Sequence, residues 1–313
     1  MGLRYGVIGI GPSGGILAAH LARSGEAVAV VDILKDHIEC IESNGLRISG
    51  FTEMTAKMRD CFYSIPDLVD KSLDVIFIST KASVLEPVIS DLEKIYTAIG
   101  KPKIISHQNG LDTELRLALT FGKENTMRTV INYAGNFVEN GHLRMTFFNP
   151  PNYIGDPTGK NEGLVGEIAD SLTRSGLKTE VTEKIHHYVW EKTILNAGMS
   201  ALCAVTQQTM RESLDFAPTE QLVRDLLKES IAVAEAVGQD YGENFFEWCM
   251  NYLNKAGHHK TSMLVDVLDQ NPTEIDYING KIVDYRKEHG IATPVNETIV
   301  ALIKATESQF QKK

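Results

Sequence analysis

Arg4-Tyr5-Gly6-Val7-Ile8-Gly9-Ile10-Gly11-Pro12-Ser13-Gly14 decides the fold. An apolar strand runs straight into a GxGxxG turn, and a helical pattern starts near Ser13. In that turn the first glycine permits the tight bend, the second lets the backbone approach a pyrophosphate, and the third allows helix to pack closely on strand. The helix that opens there offers unpaired N–H groups and a positive dipole end to a phosphate. Pro12 costs little, because the first N–H groups of a helix have no internal partner. A glycine motif alone is a weak signal. Here it occupies the first strand-helix turn, and an acid, Asp32, closes the second strand, 32 − 9 = 23 positions after Gly9. That carboxylate suits the adenosine ribose hydroxyls of NAD and repels the 2′-phosphate of NADP, so NAD(H) is favoured over NADP(H). Lys35 keeps a phosphate partner for NADP available. FAD is disfavoured, since no second glycine motif follows.

Outward from this turn, RYGVIGI, AVAVVD, DVIFIST, KIISHQ and TMRTVINY read as strands. Helical segments start near Ser13, Lys35, Ser83 and Asp112. Alternation of this kind predicts parallel strands joined by crossover helices, and the near-continuous apolar runs predict burial on both faces. The expectation is an α/β protein, with an N-terminal Rossmann doubly wound parallel sheet over residues 1–181 and an all-helical C-terminal domain over 182–313. The second part rests on apolar residues three and four apart, such as Leu222, Leu226, Leu227 and Ile231. Pro218 and Pro294 fit helix first turns, and Gly238, Gly257 and Gly290 fit helix ends.

A chain of 313 residues is comfortable as two domains, and 43% hydrophobic with 23% charged residues is ordinary for a globular protein. The net charge of -10 gives no footprint for nucleic acid or an anionic membrane. No segment approaches the roughly 20 apolar residues of a membrane span. Cys40, Cys61, Cys203 and Cys249 are scattered without a CxxC pair, which argues against a disulfide framework and a zinc site and for a reducing, cytoplasmic location.

Further segments stand out: Ser79-Thr80-Lys81, Gln108-Asn109-Gly110-Leu111, Trp190-Glu191-Lys192 with Asn196, and Ser262-Met263-Leu264 through Thr273-Glu274-Ile275-Asp276-Tyr277-Ile278-Asn279-Gly280. With the glycine turn they cover the chain in order, and together they resemble the ketopantoate reductase (2-dehydropantoate 2-reductase) family. The spacings agree with it: Lys192 and Asn196 are four apart, and Ser262 and Glu274 are 274 − 262 = 12 apart.

The resemblance implies hydride transfer from NAD(P)H to the ketone of a small branched 2-keto acid, giving (R)-pantoate from 2-dehydropantoate. Reduction of a ketone builds negative charge on oxygen and calls for a positioned acid or cation, for which Lys192 is the candidate. Asn196, at i+4, shares its helix face. By resemblance Asn109 holds both the nicotinamide ribose and the substrate, Asn196, Ser262 and Glu274 hold the substrate, and Lys81 joins Gly9, Ile10, Gly11, Pro12, Ser13, Gly14 and Asp32 in binding the cofactor. Taken singly, a serine at a helix start is often only an N-cap, and Trp190 and Tyr277 read as packing. The pairs His186-His187 and His258-His259 point their members apart, so no metal is expected.

Two departures bear on specificity. Where many family members carry another asparagine and a Pro-Leu pair, this chain has Ser200-Ala201-Leu202, and where they carry an arginine for the NADP phosphate it has Asp32-Ile33-Leu34-Lys35. An NAD-dependent D-2-hydroxyacid dehydrogenase acting on another branched or aromatic 2-keto acid, such as a D-mandelate-type enzyme, is the alternative. A dinucleotide-binding redox sensor would have no use for the polar set, and a phosphogluconate-type enzyme would want a basic cluster that is missing. Apolar helix faces in the second part leave room for a homodimer.

Overall fold

The computed structural model describes residues 2–310. In chain order the elements are β1 (Arg4–Ile8), α1 (Pro12–Arg23), β2 (Ala27–Val31), α2 (Lys35–Asn44), β3 (Leu46–Gly50), β4 (Met54–Ala56), β5 (Asp60–Phe62), β6 (Val75–Ile78), α3 (Leu85–Ile95), β7 (Lys103–Ser106), α4 (Thr113–Phe121) and β8 (Thr126–Val130). There follow β9 (Tyr133–Glu139), β10 (His142–Phe148), β11 (Asn152–Gly155), α5 (Glu162–Arg174), β12 (Thr179–Val181), α6 (Ile185–Thr206), α7 (Met210–Asp215), α8 (Ala217–Ala236), α9 (Phe245–Asn254), α10 (Ser262–Leu268), α11 (Asn279–His289) and α12 (Pro294–Glu307). The chain divides into two compact units. One holds the residues up to Gln108 and Asp112–His186; the other holds Asn109–Leu111 and everything from His187 onward.

The first unit is built on an eight-stranded sheet in the order β12-β11-β8-β7-β6-β1-β2-β5. Its pairings are parallel except that of β11 with β8. Successive side chains of a strand point to opposite faces, and here both faces are covered. Val7, Val30, Val75, Phe77 and Ile105 enter one core with Ile16 and Leu17 of α1 and Val165 and Ile168 of α5. Ile8, Val31, Ile76, Ile78 and Ile104 enter another with Leu85, Ile89 and Leu92 of α3 and Leu117 of α4. That double burial is why the strands read as continuous apolar runs rather than alternating ones.

A second sheet, in the order β4-β3-β10-β9, was not expected from the sequence. TMRTVINY is two strands: β8 stops at Val130, and Tyr133 opens β9 in the other sheet. Leu46, Ile48, Leu143 and Met145 of the small sheet share the core of α1, so β9 and β10 lie beside the glycine turn. The β9–β10 hairpin turns at Gly141, with φ +73.

The second unit is helical, and no strand occurs among its described residues. Pro218 lies in the first turn of α8 and Pro294 opens α12, while Gly290 ends α11 in the left-handed conformation. The first unit takes in β12 and runs on to His186, past the break expected after Val181.

Candidate functional site

The glycine turn is held by close approach. Gly9 has φ +92, and a Cβ there would stand 2.7 Å from the Thr80 amide nitrogen. A Cβ on Gly14 would enter the Gly9 carbonyl oxygen and stand 2.7 Å from Cβ of Ser79. Gly11 differs: a Cβ there would meet no protein atom within 4 Å. Nothing in the fold therefore requires glycine at position 11, and the open space beside it leaves room for a bound group to approach the backbone. α1 starts at Pro12 with no side-chain cap and no acid in its first turn, which leaves its N–H groups and dipole to an anion. The buried Ser79 hydroxyl nearby has no hydrogen-bond partner. A dinucleotide pyrophosphate fits these features. Gly11→Ala is expected to leave the thermal midpoint unchanged and to weaken NADH binding about tenfold or more, about 1.4 kcal/mol. Calorimetry on the variant checks both; an unchanged dissociation constant would remove Gly11 from the binding surface.

Asp32 is engaged within this turn. One carboxylate oxygen accepts from the Ile10 amide at 2.7 Å, the other from the Leu34 amide at 3.0 Å. The carboxylate thus shapes the turn itself, and each oxygen keeps lone-pair capacity for a ribose hydroxyl. Ile33 and Leu34, which follow it, are exposed. Lys81 is half-buried and directly precedes the 3-10 turn Ala82–Val84.

The other predicted residues fall in the second unit. α6 carries Lys192 and Asn196 one turn apart, both half-buried, above Ser200, which is buried. Thr261 caps α10 by accepting from the Leu264 amide at 3.3 Å, and its hydroxyl reaches the Ser200 carbonyl at 3.3 Å. Capping by Thr261 leaves the exposed Ser262 hydroxyl available beside α6. Asn279 donates to the Ala197 carbonyl at 2.9 Å, which brings the start of α11 and the preceding 3-10 turn Ile275–Tyr277 to α6. Glu274, buried, stands at the N-terminus of that turn. Leu111 donates to the Tyr277 carbonyl at 2.9 Å. Gly110, at φ +89, has Tyr277 so close that a Cβ would stand 2.7 Å from the tyrosine Cβ. These bonds gather the segments bearing Asn109, Lys192, Asn196, Ser262 and Glu274 around α6. The side-chain oxygen of Asn109 is buried and has no hydrogen-bond partner.

Neighbouring groups divide the work on α6. Trp190 packs on Tyr285, ring centroids 5.2 Å apart, and burial pushes the Glu191 carboxyl above its usual range. His187 packs on Tyr241 with the rings tilted and their centroids 4.2 Å apart, while His186 meets Glu114 at 3.4 Å. Among the described residues no group of three His, Cys, Asp or Glu could hold a metal ion.

Sequence reasoning singled out neither Arg128 nor His37 nor Tyr133. The buried Arg128 donates to the Gln108 carbonyl at 2.7 Å and to Ser106 Oγ at 2.6 Å, bonds Thr113 as well, and faces Glu114 at 3.7 Å, so it fixes the chain immediately before Asn109. An arginine inside a segment that reads as a strand of the buried sheet was the available signal, since a buried charge needs partners.

Residues 5–159 match the family model described as Ketopantoate reductase PanE/ApbA, and residues 184–307 match Ketopantoate reductase PanE/ApbA C terminal. A 2-dehydropantoate 2-reductase from Pyrococcus horikoshii is 29% identical over 306 residues, 96% of this chain and 97% of its own. A solved D-mandelate dehydrogenase with NADH and anilino(oxo)acetate has a TM-score of 0.88 at 23% identity, over 99% of this chain and 100% of that one. A dimeric ketopantoate reductase from Staphylococcus aureus has a TM-score of 0.81 at 22% identity, again over 99% and 100%. The two structures speak for the fold.

Proposed function

Because the chain belongs to the ketopantoate reductase family, matched over residues 5–159 and 184–307, we propose that it reduces 2-dehydropantoate to (R)-pantoate with NADH in preference to NADPH. It is an NAD(P)-dependent oxidoreductase by that membership. The observation that carries the reading is the gathering of the Asn109, Lys192, Asn196, Ser262 and Glu274 segments around α6 by the bonds of Thr261, Asn279 and Leu111.

A bound reduced nicotinamide dinucleotide supplies hydride to the ketone carbon. As charge grows on the ketone oxygen, Lys192 Nζ gives that oxygen its proton and the Asn196 amide steadies the substrate beside it. Ser262 and Glu274 hydrogen-bond and orient the substrate. Asn109, whose side-chain oxygen is an unused acceptor, holds the nicotinamide ribose and the substrate. The turn from Gly9 to Gly14, with Lys81, holds the phosphates, and Asp32 takes the adenosine ribose. We extend the proposal to a homodimer in a reducing cytoplasm, supported by the dimeric relative from S. aureus and by cysteines that are all free.

The test follows oxidation of NADH and of NADPH by the purified protein against 2-dehydropantoate and a panel of branched and aromatic 2-keto acids. Fast turnover of 2-dehydropantoate supports the proposal. Preference for an aromatic 2-keto acid would overturn the substrate and favour the mandelate-type alternative. Asp32→Ala is expected to narrow the NADH-to-NADPH preference about tenfold, the worth of one hydrogen bond to a charged group. An unchanged ratio would leave Asp32 only its bonds to Ile10 and Leu34.

A further inference from the structure

Beyond the glycines and Asp32, the dinucleotide turn is held by two further side chains from outside the motif. His37 of α2 is fully buried, and its Nε2 lies 3.0 Å from the Ile10 carbonyl oxygen. The Gly141 amide donates to its Nδ1 at 2.9 Å. A nitrogen that accepts carries no proton, so the ring is the neutral Nε2–H tautomer and donates to Ile10. Burial favours the same state, holding the His37 pKa below its ordinary value. Tyr133, at the start of β9, donates its hydroxyl proton to the Ser13 carbonyl at 2.9 Å. That proton being committed, His107 Nε2 donates to the Tyr133 oxygen at 2.8 Å, and Thr129 Oγ1 lies 2.8 Å from the other ring nitrogen. Tyr133 and Gly141 both belong to the β9–β10 hairpin of the small sheet, so the hairpin reaches the turn at two places.

In a trans peptide the carbonyl and the following N–H point in opposite directions. Pinning the Ile10 carbonyl on His37 therefore fixes the direction of the Gly11 N–H, while the Tyr133 bond anchors the first turn of α1, in which the helix already directs the Ser13 carbonyl back and the Gly14 N–H forward. A flip of the Ile10–Gly11 peptide would present a carbonyl oxygen where an anion is to bind, and a shift of the first turn of α1 would carry the Gly14 N–H away from it. We propose that His37 and Tyr133 are positioning residues for the cofactor diphosphate: they hold the Ile10 and Ser13 carbonyls away so that the Gly11 and Gly14 N–H groups face it. This rests on the reading of the turn as a dinucleotide site.

The test uses the full chain and three variants, Tyr133→Phe, His37→Leu and His37→Gln. Dissociation constants are measured for NADH, for ADP-ribose, which keeps the diphosphate, and for adenosine, which lacks it, with kcat at saturating NADH. Tyr133→Phe and His37→Leu are each expected to weaken NADH and ADP-ribose about tenfold, the size of a buried hydrogen bond, with adenosine affinity and kcat held within about twofold. His37→Gln keeps a donor and an acceptor and is expected to recover most of the affinity. Parental ADP-ribose binding by Tyr133→Phe would overturn the proposal, as would equal losses for adenosine and ADP-ribose or a Gln variant as poor as Leu. A parent chain that binds neither NADH, NADPH nor ADP-ribose would overturn the dinucleotide reading and the proposal with it.

Discussion

Lys192→Ala is expected to lose about 10²–10⁴-fold in kcat while binding NADH as the parent does, the loss typical of a missing general acid. In the proposed mechanism the ammonium meets charge that exists only as hydride arrives, so its removal raises the barrier without loosening the ground state. Lys192 stands on α6 in the second unit, and the glycine turn belongs to the first, so the substitution leaves the turn's own hydrogen bonds in place. Its surroundings are fixed by packing: Trp190 is buried on Tyr285, and the Tyr241 hydroxyl donates to the His187 carbonyl at 2.8 Å. Truncating the lysine leaves those contacts intact, and the melting temperature should stay near the parent's. Steady-state kinetics with a fluorescence titration of NADH separates the two effects. Unchanged turnover would take Lys192 out of the mechanism, and a parallel collapse of binding would make it a cofactor ligand instead.

Gly14→Ala is expected to be the most damaging single methyl in the protein. The new Cβ would meet the Gly9 carbonyl oxygen and Ser79, and neither is the far end of a flexible side chain. Gly9 is itself confined between Thr80 and a left-handed φ, so the turn has nowhere to retreat. Overpacking of this kind costs about 3 kcal/mol, and for a unit of this size the first thermal transition should fall by roughly 6–12 °C. NADH binding should vanish with it. Scanning calorimetry on Gly11→Ala and Gly14→Ala side by side gives the contrast: the same added methyl, three positions apart, costs binding at one and folding at the other. Equal melting temperatures would show that the turn yields more easily than its contacts indicate.

The sheet was legible because its strands are buried on both sides. Val75, Phe77 and their alternates Ile76 and Ile78 are all apolar, and no surface helix of that length reads so. The glycine turn was legible because its spacing answers to one geometry. The small sheet was hidden by different physics. Its strands are short, and β9 is largely exposed beyond Asn136, so no apolar run announces it. Leu46-Arg47-Ile48 and Leu143-Arg144-Met145 do alternate, and Asn140-Gly141 is a hairpin signal, but Ile131-Asn132-Tyr133 reads as a continuation of β8. His37 and Tyr133 were out of reach for a further reason. Their roles lie in bonds to Ile10 and Ser13, 27 and 120 positions away, and no local pattern encodes a contact at that separation. Lys192, Asn196 and Glu274 were picked out by family spacing, whereas Arg128 behind Gln108 had only its odd charge to mark it.

The segment Asn109–Leu111 belongs with the helices, although Gln108 before it and Asp112 after it belong with the sheet. The boundary between the units is therefore crossed at three points along the chain, and no single scission yields two self-sufficient halves. A fragment begun at His187 would lack the three residues that give the Tyr277 carbonyl its partner and cover its backbone with Gly110. Shuffling the helical part between relatives thus calls for two grafts, the C-terminal stretch and a tripeptide some eighty residues upstream, or the recipient inherits a gap beside its own Glu274 turn.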